Sequence, residues 1–171
     1  MDNPVLLLGL MGAGKTTVGQ ALARRLGGSY IDNDEALLAE TGCTAAELLA
    51  AAGPERLRDA EVNALRQALT GGRPTVLGVA AGVVLHPAGR DILAGQHRVV
   101  WLRAEVSTLV RRVGAASGRP WLGDDPAAAL AELAVAREPF YAELADIVVD
   151  VDQLSVDEVV DAIVERLAGR T

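Results

Sequence analysis

Lysine is almost missing from this chain. Fifteen of its sixteen basic residues are arginine, and the one exception is Lys15. That pattern marks position 15 as a place where a planar guanidinium does not replace a compact ammonium. Cysteine is nearly missing too. A lone Cys43 excludes an internal disulfide framework and fits a reducing compartment. Aromatic residues make up only 3% of the sequence, so any core must be aliphatic, built from Ala, Val, Leu and Gly. Clusters of Lys and Arg are lacking, and the formal net charge is −7 with a pI near 4.8. Binding nucleic acid needs a basic face to neutralise phosphates, so that partner class is excluded as an expectation. Long apolar runs are lacking as well. Val5–Leu8 is too short for a membrane span or a signal segment, and no basic stretch precedes it. Repeats, low-complexity tracts and linkers are not seen. The expectation is one soluble, cytoplasmic domain over residues 1–171, a monomer that acts on small molecules, with neither nucleic acid nor membrane as partner.

What is present is alternation. Short aliphatic runs at 4–8, 29–31, 75–79, 98–102 and 146–150 read as strands, several of them apolar on consecutive residues as in a sheet covered on both faces. Helical stretches lie between them. Residues 14–26 carry an apolar stripe at Val18, Ala21, Leu22 and Leu26. Thr44 and Glu47 form a capping box that opens a short helix over 48–52, and Pro54 starts another that runs through Leu57, Glu61 and Leu65. A further helix begins near Glu35. Asp125-Pro126 reads as an N-cap followed by proline at the first helical position, and Ser155 with Glu158 caps a last helix to about Ala168. Strands alternating with helices imply an α/β fold, a parallel sheet between two helical layers. Residues 114–125 (GAASGRPWLGDD) are the least regular and read as a functional loop. Trp101 reads as core. His86 and His97 show no metal-ligating pattern.

Residues 9–16, GLMGAGKT, match G-x-x-x-x-G-K-[ST] between a buried strand and a helix, which is the context that gives the motif meaning. Gly12, Ala13 and Gly14 bring backbone N–H groups around a phosphate, and the helix N-terminus adds positive charge there. Lys15 then reaches the β- and γ-phosphates, Thr16 offers a hydroxyl to Mg²⁺, and Thr17 a second hydroxyl to phosphate. ATP and Mg²⁺ are the implied cofactors.

The acceptor side is read from "YIDNDE", in which Asp32 and Asp34 follow the second strand. At the carboxyl end of a parallel strand both face the crevice of the phosphate loop, where one acid holds Mg²⁺ and the other orients or deprotonates a nucleophile. The alternative is that they cap the following helix. Arg58, Arg119 and Arg137 are candidates to clamp anionic groups, with solvated surface charge as the alternative for each. Arg137 stands beside Pro139, read as a helix breaker.

Together these pieces resemble the shikimate kinase family, small P-loop enzymes of the nucleoside-monophosphate-kinase type. The resemblance rests on Gly9–Thr16, the D-x-D at Asp32 and Asp34, the L-R-x-x-E at Leu57–Glu61, the R-P-x-L at Arg119–Leu122 and the R-x-P-x-Y at Arg137–Tyr141, which follow the family's order over nearly the whole chain. It implies a five-stranded parallel sheet of order 2-3-1-4-5, acceptor-binding helices over about 33–61 and a mobile lid over about 114–125. It also implies ATP-dependent phosphorylation of the 3-hydroxyl of shikimate. By the same resemblance Lys15, Asp34 and Arg119 are catalytic, with Asp34 at the ring hydroxyls. Asp32 and Thr16 hold Mg²⁺, Arg112 lies against adenine, and Arg119 closes on the phosphoryl group. Arg58 and Arg137 bind the acceptor carboxylate beside Ala81 and Gly82.

One stretch departs from the family. Where it carries three consecutive glycines after the third strand, this chain has Ala80, Ala81 and Gly82. If either alanine were left-handed it would cost roughly 1–2 kcal/mol. Three readings stay open at this point: a shikimate kinase, a paralogue acting on a related ring acid or cyclitol, and a nucleotide-binding regulatory module without catalysis.

Overall fold

The computed structural model describes residues 3–71, 74–96, 98–114 and 124–169. Its five strands are β1 (Val5–Leu8), β2 (Tyr30–Asp32), β3 (Val76–Gly78), β4 (Val99–Arg103) and β5 (Ile147–Asp150), all parallel in the order β2-β3-β1-β4-β5. The expected sheet order is the observed one. In the central strand β1 every residue is buried, as consecutive apolar residues require when helices cover both faces.

The helices are α1 (Lys15–Arg25), α2 (Asn33–Thr41), α3 (Ala45–Gly71), α4 (Pro87–Ala94), α5 (Val106–Gly114), α6 (Pro126–Leu144) and α7 (Val156–Ala168). Local chemistry sets their starts. Asp125 accepts from the Ala128 N–H at 3.0 Å with Pro126 in the first turn. Ser155 and Glu158 make a full capping box on α7. The two helices expected on either side of residue 53 are present as the two arms of α3, divided where Gly53 takes non-helical φ 82° and ψ 175° ahead of Pro54. Two helices were not foreseen, α4 and α5. The first is capped by an imidazole: His86 Nδ1 accepts from the Ala88 N–H at 3.1 Å, and its Nε2 faces Asp59 Oδ1 at 3.2 Å, tying α4 to α3.

Pro139 does not break α6, contrary to the sequence reading. A proline inside a helix frees the carbonyl four residues earlier. Here that residue is Val135, which is 79% exposed, and Pro139 is exposed on the same outer side, so water can satisfy the freed group. The core is aliphatic as composition requires. Trp101 is buried within it, its ring centroid 5.8 Å from that of Tyr141.

A parallel sheet gathers ligand-binding groups beyond its strands' carboxyl ends, where neighbouring connections leave in opposite directions. At that end lie the loop after β1, the acids after β2 and the turn after β3. Among the described residues no helix is long and apolar enough to cross a membrane.

Candidate active site

These three segments, with α2, α3 and α6, line a cleft of about 700 Å³, a size typical of small-molecule sites. Its first half is backbone. Gly12 and Gly14 take φ 84° and 98°, left-handed values that turn the loop back on itself at the start of α1. Lys15 Nζ donates to the Gly9 carbonyl at 2.7 Å and to that of Leu10 at 3.3 Å, so the ammonium is drawn across the loop it serves. Gly12, Gly14, Lys15, Thr16 and Thr17 all line the cleft. Ala13 is set apart. Its side chain is buried and its N–H donates to the Leu10 carbonyl, which closes the turn from within. Arg112 underpins the loop from α5, donating to Val151 O at 3.1 Å with Gly12 O and Ala13 O at 3.4 Å.

Asp32 and Asp34 divide as their spacing implies. Asp32 does cap α2, its Oδ1 accepting from the Asp34 N–H at 3.0 Å. It also presents Oδ2 to the Thr16 hydroxyl at 3.2 Å. One carboxylate thus caps the helix with one oxygen and faces the phosphate loop with the other. Asp34 points to the other half of the cleft, near enough to Glu61 for the two charges to repel.

That second half is made of side chains. Arg58 on α3 pairs with Glu61 one turn on, and Arg137 approaches from α6. Solvated surface charge is ruled out for Arg137, which is 6% exposed, and Glu61 is 4% exposed. Burial pushes the Glu61 carboxyl above its ordinary 4.5, with Arg58 pulling the other way. Burial likewise lowers the Arg137 guanidinium, and the charge on Arg58 adds to that effect. The Glu61 carboxylate is thus paired with Arg58 and lies within the field of Arg137. Arg137 Nε is buried with no hydrogen-bond partner among the described residues, a condition that native structures rarely leave without an anion or water.

The alanines stand in a tight turn. Val83 N–H donates to Ala80 O at 3.1 Å, and Gly82 has φ −91° and ψ −10°. This closes a four-residue turn in which Gly82 is right-handed, so no left-handed conformation reserves position 82 for glycine. Gly82 is needed for space instead: a Cβ there would fall 1.7 Å from an Arg58 guanidinium nitrogen. The turn is clasped by Tyr141, fully buried, whose hydroxyl donates to Ala81 O at 2.7 Å. Burial pushes that phenol up, which keeps it a donor.

Three contributors were not singled out from the sequence. Glu61 and Tyr141 stood inside motifs, one helical turn beyond Arg58 and Arg137, where a partner for each arginine belongs. Asn33 carried no signal. It is fully buried between the two acids and donates to the Glu61 carbonyl at 3.2 Å, joining α2 to α3. Arg119, and with it residues 115–123 of the expected lid, lies outside the described residues, as does His97.

A family model described as shikimate kinase matches residues 11–168. The chain belongs to the shikimate kinase family. Shikimate kinase from Chromobacterium violaceum is 41% identical over 94% of this chain and 88% of its own length. That from Frankia casuarinae is 45% identical, covering 95% and 72%. Among solved structures, shikimate kinase from Acinetobacter baumannii in complex with shikimate superposes with a TM-score of 0.91 at 28% identity, covering 100% of this chain and 96% of that one. Like other shikimate kinases, the protein takes ATP as phosphoryl donor.

Proposed function

We propose that this chain transfers the γ-phosphoryl group of ATP to the 3-hydroxyl of shikimate, with Mg²⁺ bound between Thr16 and Asp32. The observation that carries the acceptor assignment is the buried guanidinium of Arg137, one nitrogen unpartnered, beside an Arg58 already paired to Glu61. A buried guanidinium with an open nitrogen, facing a phosphate loop, suits an acceptor that brings a carboxylate.

The donor set suits magnesium. It offers hard oxygens, a hydroxyl and a carboxylate 3.2 Å apart. Among the described residues there is no group of three or more His, Cys, Asp or Glu able to hold a metal. Mg²⁺ commonly uses one or two carboxylates and completes its shell with substrate phosphates and water. When bound, the ion neutralises charge on the β- and γ-phosphate oxygens.

The chain's own groups do the rest. The loop's N–H groups and Lys15 hold the donor phosphates against the start of α1. Arg58 and Arg137 grip the ring's carboxylate and so fix its rotation, with the Ala80–Gly82 turn as a wall. Asp34 orients the acceptor hydroxyl and takes its proton as the oxygen bonds to the γ-phosphorus and the bond to the ADP oxygen breaks. Placement and electrostatics supply most of the acceleration in such transfers. A monomer in the cytoplasm is the proposed working form, and the lone Cys43 fits that reducing setting.

The test is ADP release from MgATP with shikimate, with the phosphorylated position read by NMR. Phosphate on the 3-hydroxyl is expected. Turnover only with another ring acid or a cyclitol would overturn the acceptor. ATP binding without turnover of any acceptor would overturn catalysis and leave a nucleotide-binding module.

A further inference from the structure

Tyr30 takes no part in the reading above, yet it touches the centre of the donor half. Its ring is wedged between α1 and β3 at two glycines. A Cβ on Gly19 would fall 2.2 Å from a ring carbon, and one on Gly78 would fall 2.2 Å from the hydroxyl. Both neighbours thus lack a side chain where the tyrosine lies, and the ring has little room to move. From this seat the hydroxyl donates to Asp32 Oδ2 at 2.8 Å. An ionised carboxylate has only acceptor atoms, so the direction of that bond is fixed.

Among the described residues three groups donate to Asp32: the Asp34 N–H on Oδ1, and the hydroxyls of Tyr30 and Thr16 on Oδ2. Thr16 sits on the exposed first turn of α1. Tyr30 is the donor to Oδ2 that packing holds in place. Carboxylates that bind metals are in general held by such outer hydrogen bonds, and their loss weakens metal affinity.

We infer that the Tyr30 hydroxyl is a positioning group for magnesium-dependent nucleotide binding, fixing Asp32 Oδ2 toward Thr16. This rests on the assignment of Asp32 and Thr16 to the ion, and the test separates the two. Binding of a non-hydrolysable ATP analogue is measured by calorimetry in EDTA and across a magnesium titration, for the native chain, Tyr30→Phe and Asp32→Asn. Phenylalanine keeps the ring in its seat and removes one oxygen.

The native chain binds the analogue more tightly with magnesium, and Asp32→Asn loses that gain. Tyr30→Phe keeps the EDTA affinity and needs about 10-fold more magnesium to reach half the gain. An unchanged magnesium midpoint in Tyr30→Phe, with the gain lost in Asp32→Asn, overturns the role of Tyr30 and leaves the ion assignment standing. An equal loss of affinity in EDTA and in magnesium overturns it too, since that marks a packing role. A native chain without a magnesium gain, or Asp32→Asn that retains it, overturns the ion assignment and the inference together.

Discussion

The two halves of the cleft are built by different means. The donor half is mostly backbone from one continuous segment, Gly9–Thr16, with Asp32 alongside. The acceptor half is mostly side chains, brought from α2, α3, α6 and a turn, and its charges are buried against one another. A backbone cradle depends on dihedrals and tolerates change in the side chains around it. A buried charge cluster depends on each member, because removing one partner strands another in low dielectric. Substitutions in the first half should therefore divide sharply into fatal and silent, and those in the second should be graded.

Lys15→Arg is the largest expected effect, a loss of about 1000-fold in kcat with the fold retained, because the guanidinium cannot take the ammonium's place in so tight a loop. Rapid-quench turnover and a melting curve check it, and near-native turnover would remove the distinction between the two cations. Gly82→Ala comes next. Its methyl must displace the Arg58 guanidinium, and a shift of about 1 Å can cost about 100-fold. Expected is a fall in kcat/KM for shikimate with nucleotide affinity unchanged, so a parallel loss of nucleotide binding would erase the boundary between the halves.

The pH dependence is milder. Because the Glu61 carboxyl titrates above 4.5, its pair with Arg58 is lost on acidification before ordinary carboxylates protonate. The KM for shikimate should rise along that limb, and Glu61→Gln should abolish the limb. The sign for stability is opposite. The folded state holds the extra proton, so this group's stabilising contribution is full below 4.5 and lost as pH rises through the raised value. The smallest effect belongs to the double change Ala80→Gly and Ala81→Gly, expected within about 2-fold of native kcat/KM, because the turn is held through the backbone carbonyls of Ala80 and Ala81, which the change keeps. A large gain would show that the alanines fit another acceptor.

The contrast also explains what the sequence could tell. The donor half was legible because its residues are contiguous and the strand–loop–helix context is local. Most of the strands were legible for the same reason, as runs of consecutive apolar residues. Asp34 and Asp32 could be placed by strand polarity alone. The acceptor half was legible as motifs and not as contacts. Arg58 and Arg137 resemble surface charges one at a time, and only folding brings Glu61, Tyr141 and Arg137 into one buried cluster. The turn after β3 could not be resolved from residue types, since what reserves position 82 for glycine is the Arg58 side chain that folding brings beside it. Two helices escaped notice for other reasons. α4 opens on a histidine cap in place of Ser, Thr, Asp or Asn, whereas α5 carried a readable stripe at Val106, Leu109, Val110 and Val113. Pro139 misled because the proline rule counts a lost hydrogen bond without asking whether water can replace it.

On the proposed assignment, Arg58, Glu61 and Arg137 form a receptor for one carboxylate. The most direct test of that assignment compares kcat/KM for shikimate with that for the same ring lacking the carboxylate, in the native chain and in Arg137→Ala. The account predicts a preference of about 100-fold for the acid in the native chain, the scale of a charge-assisted bidentate contact, and its collapse to within a few-fold in Arg137→Ala. Equal turnover of both rings by the native chain would contradict it.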